Sequence, residues 1–314
     1  MNKRLEDIVG LDWSDGRIVA ARVDASPLGA VRLLNVGWAD VPADAADDVV
    51  AAAIKKVWHS AGMPSRTVAV ALRGRSVVVR PFDYSSLHPE EFHAALRLEA
   101  EEALQLPQDK IALDWHINKE GASETPSGPR SFSGLLVAAP LQEVRQVQNI
   151  LQMAGLFPVV MEPGATAMAN LYRATHREPG ACEDVCVLYL TRQSADISIL
   201  FNERGLYARS LFARGGSWGD GMHNLHVGLQ DALKYYVFKL RGLPVRRIVV
   251  TGQMSDTPGL VEGLQSQTGL PVSVWNLLGD LKDTSSRVHK KLLEDRRPAF
   301  AVSMGLSLRG YSSD

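Results

Sequence analysis

Two stretches of the chain share one order of hydrophobic and polar positions. Residues 8–23, which read IVGLDWSDGRIVAARV, form two apolar, β-branched runs on either side of the polar turn Ser14-Asp15-Gly16-Arg17. This pattern predicts a β-hairpin. Residues 185–201, which read VCVLYLTRQSADISILF, repeat the order of apolar run, polar turn and apolar run. Two such hairpins at the starts of two half-chains indicate a duplicated domain whose turns face each other across a cleft.

The rest of the first half alternates between strand and helix patterns. Apolar residues at helical spacing, as at Val50, Ile54 and Val57, distinguish the helices from short buried apolar runs. On this basis we predict strands at 30–38, 68–72, 133–139 and 157–161 and helices at 45–61, 140–155 and 165–172.

Residues 76 to about 118 differ in character and indicate a small subdomain inserted into the first half. A strand pattern broken by Pro81 precedes a helix that we expect to start within residues 86–91 and to end before Pro107. A strand at 110–117 and a Ser/Pro/Gly-rich loop at 120–131 follow. Glu99 falls on the apolar stripe of this helix, so its carboxylate needs a partner.

The second half repeats the mixture of strands and helices. After a polar hinge at 176–184 and the second hairpin, we predict a third strand and one long helix that ends at Gly242. The predicted elements are strands at 205–212, 247–250 and 272–275 and helices around the long apolar stripe 225–240, at 258–268 and at 298–308. Mixed strands and helices in two similar halves indicate the α/β class.

Composition narrows the classes of protein. The chain has 314 residues, enough for about two domains, and its content of 46% hydrophobic and 22% charged residues is that of a globular protein. The net charge of −1 gives no indication of nucleic acid or anionic membrane as a partner. The spacing of Cys182 and Cys186 favours two reduced thiols in the cytosol. The N-terminus lacks the apolar core of a signal peptide, and no apolar run reaches the roughly 18 residues of a membrane span.

Few isolated residues indicate a metal site, a catalytic site or a membrane-binding patch. His223 and His226 could present two imidazoles near a helix start, but no third ligand is close in sequence, so we expect no metal site. Glu101 and Glu102 are interpreted as a solvated helix edge rather than an acid–base pair. The charged segment at 287–297 fits either a solvated helix face, which we favour, or a basic patch facing a membrane.

Five segments in chain order resemble the PilM family of type IV pilus assembly proteins, actin-like relatives of the cell-division protein FtsA. They are the first hairpin and residues 80–115, 138–172, 247–278 and 299–310, of which the last reads AFAVSMGLSLRG. The resemblance implies a duplicated, actin-like (ribonuclease H-like), two-lobed α/β fold. Residues 1–180 would form the first lobe, with the inserted α+β subdomain at about 78–132, and residues 181–314 the second lobe. The short connection after Gly216 implies that the second lobe lacks most of the helical subdomain on the nucleotide side.

The resemblance also implies a clamp for ATP, which this chain has altered. In nucleotide-binding members, glycines and acidic residues of the two hairpin turns hold phosphates and Mg²⁺. Asp12 keeps an acidic position in the first turn, but Ser14 replaces a glycine and Val19 a lysine. In the second turn Tyr189 replaces the aspartate on the metal side and Thr191 replaces a glycine.

A later turn keeps Gly252 but has Gln253 in place of a second glycine. We therefore expect a degenerate clamp with no resident cofactor, no metal and no enzymatic activity. An ATP-binding ATPase with a rewired clamp is the alternative, because Arg17 and Arg192 lie in the two facing turns and guanidinium groups bind phosphate well. The favoured interpretation is that both arginines are solvated turn residues.

For function, the resemblance implies a cytoplasmic scaffold. PilM proteins hold the cytoplasmic N-terminal peptide of the inner-membrane protein PilN as an extended segment, in a groove beside the inserted subdomain. By position, the residues that would bind the peptide are Phe82, Tyr84, Leu96, Glu99 and Leu106. Such a partner would place the chain at the inner membrane, where other pilus platform or motor components are further candidate partners. A relative in the type II secretion platform is disfavoured, because that protein carries its own transmembrane helix.

Overall fold

Two mixed β-sheets face each other, and a third, smaller sheet lies beside both. The computed structural model describes residues 7–25, 31–42, 44–120, 128–176, 184–201, 205–213, 215, 218, 222–277, 279–281, 283–284 and 297–310. The predicted loop at 120–131, hinge at 176–184, connection around Gly216 and charged segment at 287–297 lie largely outside these residues.

The first sheet contains the first hairpin at its centre. Its strands are β1 (Val9–Ser14), β2 (Arg17–Ala25), β3 (Val31–Asp40), β4 (Thr67–Leu72), β8 (Phe157–Pro163) and β14 (Asp283–Thr284), in the spatial order β14-β3-β2-β1-β4-β8. β1 pairs antiparallel with β2 and parallel with β4, and β4 pairs parallel with β8. Helices α1 (Asp47–Ser60) and α3 (Leu141–Met153) pack against one face of this sheet. Together these elements form the first lobe.

The second sheet has the second hairpin in its middle. Its strands are β9 (Val185–Leu190), β10 (Ser194–Phe201), β11 (Gly205–Phe212), β12 (Arg247–Thr251) and β13 (Val272–Val274), in the order β11-β10-β9-β12-β13. Helices α5 (His223–Phe238) and α6 (Leu260–Thr268) cover its outer face and complete the second lobe. All six residues of β9 are buried, because helix α4 (Gly164–Thr175) covers the inner face. Burial on both faces explains the unbroken apolar run in the sequence of β9.

The inserted subdomain is a three-stranded sheet with one helix. Strands β5 (Val78–Leu87), β6 (Ile111–Glu120) and β7 (Arg130–Pro140) lie in the order β5-β7-β6, and α2 (Phe92–Leu104) packs on one face. Pro81 is tolerated because β5 is an edge strand, where a missing N–H breaks no ladder. The helix starts later than predicted, since β5 remains paired to β7 as far as Leu87. A turn of 3-10 helix, Gln108–Lys110, joins α2 to β6.

The C-terminal helix returns to the first lobe. Helix α7 (Ala301–Ser307) packs on β1, β2 and β4 and against α4, although the predicted division placed residues 181–314 in the second lobe. Two glycines allow this close approach. A Cβ at Gly10 would lie 1.8 Å from the Ser303 carbonyl oxygen, and a Cβ at Gly305 would lie 1.9 Å from the Ala167 carbonyl oxygen. The Ser307 hydroxyl donates to the Ile8 carbonyl at 2.7 Å and so fixes the helix to the start of β1.

The inserted subdomain also contacts the second lobe. The Asn118 side chain of β6 donates from Nδ2 to the Leu206 carbonyl at 3.1 Å, and its Oδ1 accepts from the Leu206 N–H at 3.2 Å. Leu206 belongs to β11, the edge strand of the second sheet. The amide of Asn118 therefore occupies hydrogen-bonding groups that an edge strand would otherwise expose.

We predict that Gly305→Ala destabilises the protein by about 1–3 kcal/mol or more, because the new methyl group overlaps the Ala167 backbone of α4. Gly263→Ala in α6 is the matched control, since the nearest atom to its Cβ, on His226, is 3.7 Å away. Replacing a helical glycine there should be neutral or stabilising by up to about 1 kcal/mol. Denaturant midpoints of the two variants measure the difference, and equal midpoints would contradict this close helix contact.

Candidate functional site

The carboxyl ends of the parallel strands of both lobes converge on one cleft. β1 and β4 end there from the first lobe, and β9 and β12 end there from the second. In open α/β sheets this end of the strands is where ligands bind. The cleft is therefore the first place to look for the predicted clamp.

Arg73 bridges the two lobes in this cleft. It follows β4 directly, and its Nε lies 2.6 Å from Oδ1 of Asp12 in the first lobe, while its Nη2 lies 3.2 Å from Oδ2 of the same carboxylate. Its Nη1 donates to Oδ2 of Asp196 in the second lobe at 2.8 Å. The other oxygen of Asp196 accepts from the Ser210 hydroxyl at 2.6 Å. One guanidinium thus pairs with two carboxylates, each almost completely buried.

The surroundings of Arg73 favour its charged form. Burial alone would lower the pKa of the guanidinium, but the charges of Asp12 and Asp196 outweigh this effect and raise the pKa above its ordinary value. The ring of Tyr189 faces the guanidinium with its centroid 5.0 Å from Cζ. Burial, together with the nearby Asp12 carboxylate, raises the pKa of the Tyr189 phenol, so this residue stays neutral.

The two hairpin turns touch, as the sequence pattern predicts for facing turns. Asp15 and Gly16 have φ of 51° and 74°, which forms the tight Asp-Gly hairpin turn. Oδ2 of Asp15 accepts a hydrogen bond from the backbone N–H of Gln193 at 3.2 Å. A backbone N–H in this turn is the kind of donor that a phosphate oxygen would use. Here a carboxylate of the chain itself accepts the bond.

The second turn is closed by hydrogen bonds within the turn and from Trp218. The Thr191 hydroxyl oxygen accepts from the Ser194 N–H at 3.0 Å, and the Thr191 carbonyl accepts from Trp218 Nε1 at 2.8 Å. Gly252 has φ of 102°, and a Cβ there would lie 2.4 Å from the Leu190 carbonyl oxygen. The retained glycine thus allows two backbones to approach each other at the end of β9.

Two further arginines were predicted as anion contacts. Nε of Arg17 donates to Oδ1 of Asp40 on the neighbouring strand β3 at 2.9 Å, and Arg192 is exposed. Ser14 is half-buried at the end of β1 and pairs in register with Arg17. The contact across the cleft is formed by Asp15 and Gln193 rather than by the two arginines.

These contacts do not fit a Mg²⁺–nucleotide held as in the predicted clamp. A hydrated metal needs carboxylate oxygens that face it, and those of Asp12 and Asp196 are bound to Arg73. Phosphate oxygens need free backbone donors, and the N–H of Gln193 is bound to Asp15. A Cβ at Gly164 would lie 2.7 Å from Nη2 of Arg73, so the guanidinium fills the space at the start of α4.

Another buried carboxylate lies at the same edge of the first sheet. Glu162, at the end of β8, accepts from the Thr166 hydroxyl at 3.0 Å and lies 3.6 Å from Nε of Arg309. Its Oε1 has no hydrogen-bond partner among the described residues. Burial raises its pKa, which Arg309 and Thr166 only partly oppose. We find no contact that connects Glu162 to Arg73 within the described structure.

A groove runs between the inserted subdomain and α3 of the first lobe. Its cavity has a volume of about 730 Å³. On one side it is lined by Leu106, Asp109 and Lys110. The end of β7 contributes Pro140, and α3 lines the other side with Leu141, Gln142, Arg145, Gln146 and Asn149. We call this cavity the groove.

The five residues predicted to bind a peptide do not share one environment. Leu106 lines the groove. Phe82 and Leu96 are buried in the core of the inserted subdomain, where their side chains cannot reach a partner without unfolding it. Tyr84 and Glu99 lie close together at the edge of that core, and burial together with the Glu99 charge raises the pKa of Tyr84. The Tyr84 hydroxyl and Oε2 of Glu99 are buried and have no hydrogen-bond partner among the described residues, so the structure does not supply the partner that the Glu99 carboxylate was expected to need.

The histidine pair lies where the sequence predicts it, near the start of a helix. His223 and His226 lie in the first turn of α5, and burial together with the nearby His223 lowers the pKa of His226. Across the described part of the chain, no group of three potential ligands is close enough to hold a metal. Glu101 and Glu102 are half-buried and exposed, respectively, which is consistent with the edge of a helix.

Sequence reasoning missed Arg73, Asp15 and Asp196 as members of the site. A signal for Arg73 was present, since it follows the buried run 68–72 at the end of a parallel strand beside the strand of Asp12. A cation at that place is the natural partner for a carboxylate that is otherwise too costly to bury. The position of Asp196, 123 residues away, has no comparable local signal.

No helix in the described ranges has the length and hydrophobicity required to cross a lipid bilayer.

Comparison with known proteins gives a consistent picture of the fold. A family model described as type IV pilus assembly protein PilM matches residues 21–220 and 221–311. A solved structure titled PilM–PilN type IV pilus biogenesis complex matches with a TM-score of 0.82 and 22% identity, over 99% of this chain and 100% of that one. The cytoplasmic domain of EpsL, an inner-membrane component of the type II secretion system of Vibrio cholerae, matches with a TM-score of 0.50 and 11% identity, over 98% and 95%. The predicted duplicated, actin-like α/β fold is confirmed.

We predict that Arg73→Met destabilises the protein by about 3–5 kcal/mol, because it leaves two buried carboxylates without their counter-charge. Arg17→Met is the matched control, since its ion pair with Asp40 is largely exposed and should contribute no more than about 1 kcal/mol. Urea midpoints at neutral pH measure both effects. A small and equal loss in the two variants would contradict a role for Arg73 in joining the lobes.

Proposed function

The chain belongs to the PilM family of type IV pilus assembly proteins, and from that premise we propose that it is a scaffold of a type IV pilus-like assembly machine. In this proposal the groove holds the cytoplasmic N-terminal peptide of a PilN-like inner-membrane protein. The cleft between the lobes is a structural joint rather than an ATPase site. The protein acts in the cytoplasm and is held at the inner membrane through this partner.

The shape and lining of the groove support its use as a peptide site. Its volume of about 730 Å³ is within the range of roughly 300–1,000 Å³ that is typical of binding cavities. Leu106, Pro140 and Leu141 offer apolar contacts, while Lys110 and Arg145 offer charged hydrogen-bond donors. Apolar pockets combined with polar groups that fix an extended backbone are the features by which proteins hold extended peptides.

Phe82 and Leu96 do not line the groove, but they position the part of the subdomain that forms its wall. Phe82 and Leu96 fix α2 on the three-stranded sheet, with the ring of Phe82 5.6 Å from that of Phe92. This packing positions the end of α2, where Leu106 follows as part of the groove wall. We therefore retain Leu106 as a direct contact in the proposal and assign Phe82 and Leu96 to its support.

The single observation that carries the proposal for the cleft is the bridge from Arg73 to Asp12 and Asp196. To bind Mg²⁺ between these carboxylates, the chain would first have to break a buried charge pair, which costs about 3–5 kcal/mol. Since about 1.4 kcal/mol corresponds to a factor of ten, affinity for Mg–ATP would fall by a factor of roughly 100 or more. We propose that the chain is a pseudo-ATPase without a resident cofactor.

The peptide proposal predicts that a synthetic peptide of the PilN-like N-terminus from the same organism binds with micromolar affinity. Leu141→Asp should weaken binding of this peptide at least tenfold, because it places a charge in the groove. The helix should tolerate the change, since an acidic residue in the first turn of α3 is compatible with a helix. Leu98→Asp, at a site 64% exposed and outside the groove, is the control. Titration calorimetry with no heat, or an equal loss in both variants, would refute this proposal.

The cleft proposal predicts that millimolar Mg–ATP leaves the melting temperature unchanged. A nucleotide present at about 100 times its dissociation constant would stabilise the protein by about 2.7 kcal/mol, which gives a shift of several degrees. Mg²⁺ without nucleotide and ATP with a chelator are the controls for ion effects. A shift that needs both Mg²⁺ and ATP would instead favour the alternative of an actin-like ATPase with a rewired clamp.

A further inference from the structure

The two most exposed large apolar side chains of the described residues lie at the same end of helix α5. Phe238, the last residue of α5, is 77% exposed, and Leu243, just after the turn that follows, is 67% exposed. Single exposed apolar residues are ordinary at protein surfaces, but two large ones close together indicate a contact surface. The chain then enters β12 at Arg247, and β12 runs from there to the cleft. The apolar pair therefore lies at the end of the second lobe that is remote from the cleft.

The turn that carries these side chains is anchored in the core of the second lobe. Arg241 has φ of 54°, and the Gly242 N–H donates to the Tyr236 carbonyl at 3.1 Å. Tyr236 is buried, and its hydroxyl donates to Oδ2 of Asp184 at 2.7 Å. A Cβ at Gly242 would lie 2.1 Å from the ring of Tyr236, so the turn packs directly on this ring. The exposed pair thus extends from a fixed base.

The charges around this turn have one sign. Residues 234–247, which we call the basic turn, contain no acidic residue and five basic ones, all exposed: Lys234, Lys239, Arg241, Arg246 and Arg247. Among the described residues, no hydrogen bond or ion pair engages Lys234, Lys239 or Arg241. Positive charge is favourable at the end of a helix, but that effect is limited to the last turn and does not explain the exposed apolar pair.

Few acidic residues lie near the basic turn in the described structure. Asp184 is buried, and Asp231 lies about two turns before the end of α5. Helix α6 packs beside α5, where the Gln230 side chain donates to the Gln267 carbonyl at 2.6 Å, and residues 263–279 contain no acidic residue. The basic turn is therefore a local positive surface on a chain whose net charge is −1.

We propose that the basic turn binds the anionic surface of a lipid bilayer. Phe238 and Leu243 enter the boundary between headgroups and acyl chains, while the basic side chains pair with lipid phosphates. Nucleic acid would use the charges but would leave the apolar pair in water. The choice of a bilayer over an acidic protein rests on the proposed function, which places the chain at the inner membrane. This contact and the PilN-like partner would then hold the chain together, as two linked attachments.

The test measures co-sedimentation of the intact protein with sucrose-loaded vesicles of phosphatidylcholine and phosphatidylglycerol in equal parts. No PilN-like peptide is present, so the result does not depend on the groove. We expect binding at low ionic strength that weakens as salt is added, because the salt screens the charges. Binding to vesicles of phosphatidylcholine alone should be weaker by about tenfold or more.

A pair of lysine variants tests the charges. Lys234→Gln combined with Lys239→Gln should weaken binding to the anionic vesicles by about tenfold or more, since each basic side chain near such a surface adds to the affinity. Lys55→Gln combined with Lys56→Gln, at exposed positions of α1 in the first lobe, is the matched control. It removes the same charge and should leave the affinity within about a factor of two, because remote charges are screened.

A pair of phenylalanine variants tests the apolar contact. Phe238→Ser should weaken binding by about fivefold or more, because it removes an apolar side chain from the membrane boundary. Phe157→Ser, at a position of the first lobe that is 63% exposed, is the control and should leave the affinity unchanged. Phe238→Trp reports insertion directly. Lipids brominated on their acyl chains should quench the fluorescence of the tryptophan added at 238, but not that of the tryptophan added in Phe157→Trp.

Four outcomes would overturn the proposal. They are no binding of the unmodified protein to anionic vesicles at low salt, equal losses in a variant and its control, tighter binding to a DNA duplex than to vesicles, and self-association that Phe238→Ser abolishes. In the last case the occupant of the surface would be a second copy of the chain. Failure of the PilN-like peptide to bind concerns only the groove, and vesicle binding with the expected losses would support the basic turn as a membrane contact in either case.

Discussion

The bridge formed by Arg73 between Asp12 and Asp196 is the interaction on which the arrangement of the two lobes depends. Asp12 lies on the central strand of one sheet and Asp196 on the central hairpin of the other, and both are buried. Neither carboxylate could be buried at low cost without a counter-charge, and one guanidinium supplies it to both. This side chain therefore stabilises the close approach of the two lobes. Arg75 adds a second link, since it donates to the Ala213 carbonyl at 2.8 Å and lies over the ring of Phe212.

This bridge changes what the cleft can do. In the clamp that the family resemblance implies, a bound metal and phosphates would neutralise the facing groups of the two turns. In this chain the cation is Arg73 and the anion is the carboxylate of Asp15. Both are covalently part of the protein, so the facing groups have partners without a ligand. This internal pairing is the observation behind the proposal that the shape of the cleft does not depend on nucleotide.

The inserted subdomain borders the groove and also contacts the second lobe. Its core is closed by aromatic rings such as Phe82, Phe92 and Phe132, and its contact with the second lobe is fixed by Asn118. The groove separates the inserted subdomain from the first lobe, and a smaller cavity lies between α2 and β6. Any segment bound in the groove therefore touches the inserted subdomain, which also contacts the second lobe through Asn118. Close packing of α7 at Gly10 and Gly305 makes the first lobe a rigid base for this arrangement.

By itself the sequence determined the two hairpins, the order of strands and helices and the inserted subdomain, because apolar periodicity and turn residues act locally. The family followed from the resemblance of five segments in chain order. It also showed that Asp12 keeps an acidic position in the first turn. Only the tertiary structure decided that Asp12 pairs with Arg73, that Asp196 shares this arginine and that the C-terminal helix belongs to the first lobe. It likewise decided that Phe82 and Leu96 support the subdomain while Leu106 faces the groove. The physical reason is distance along the chain: Arg73 meets carboxylates 61 and 123 residues away. No local pattern specifies which of many charged residues the fold will bring together.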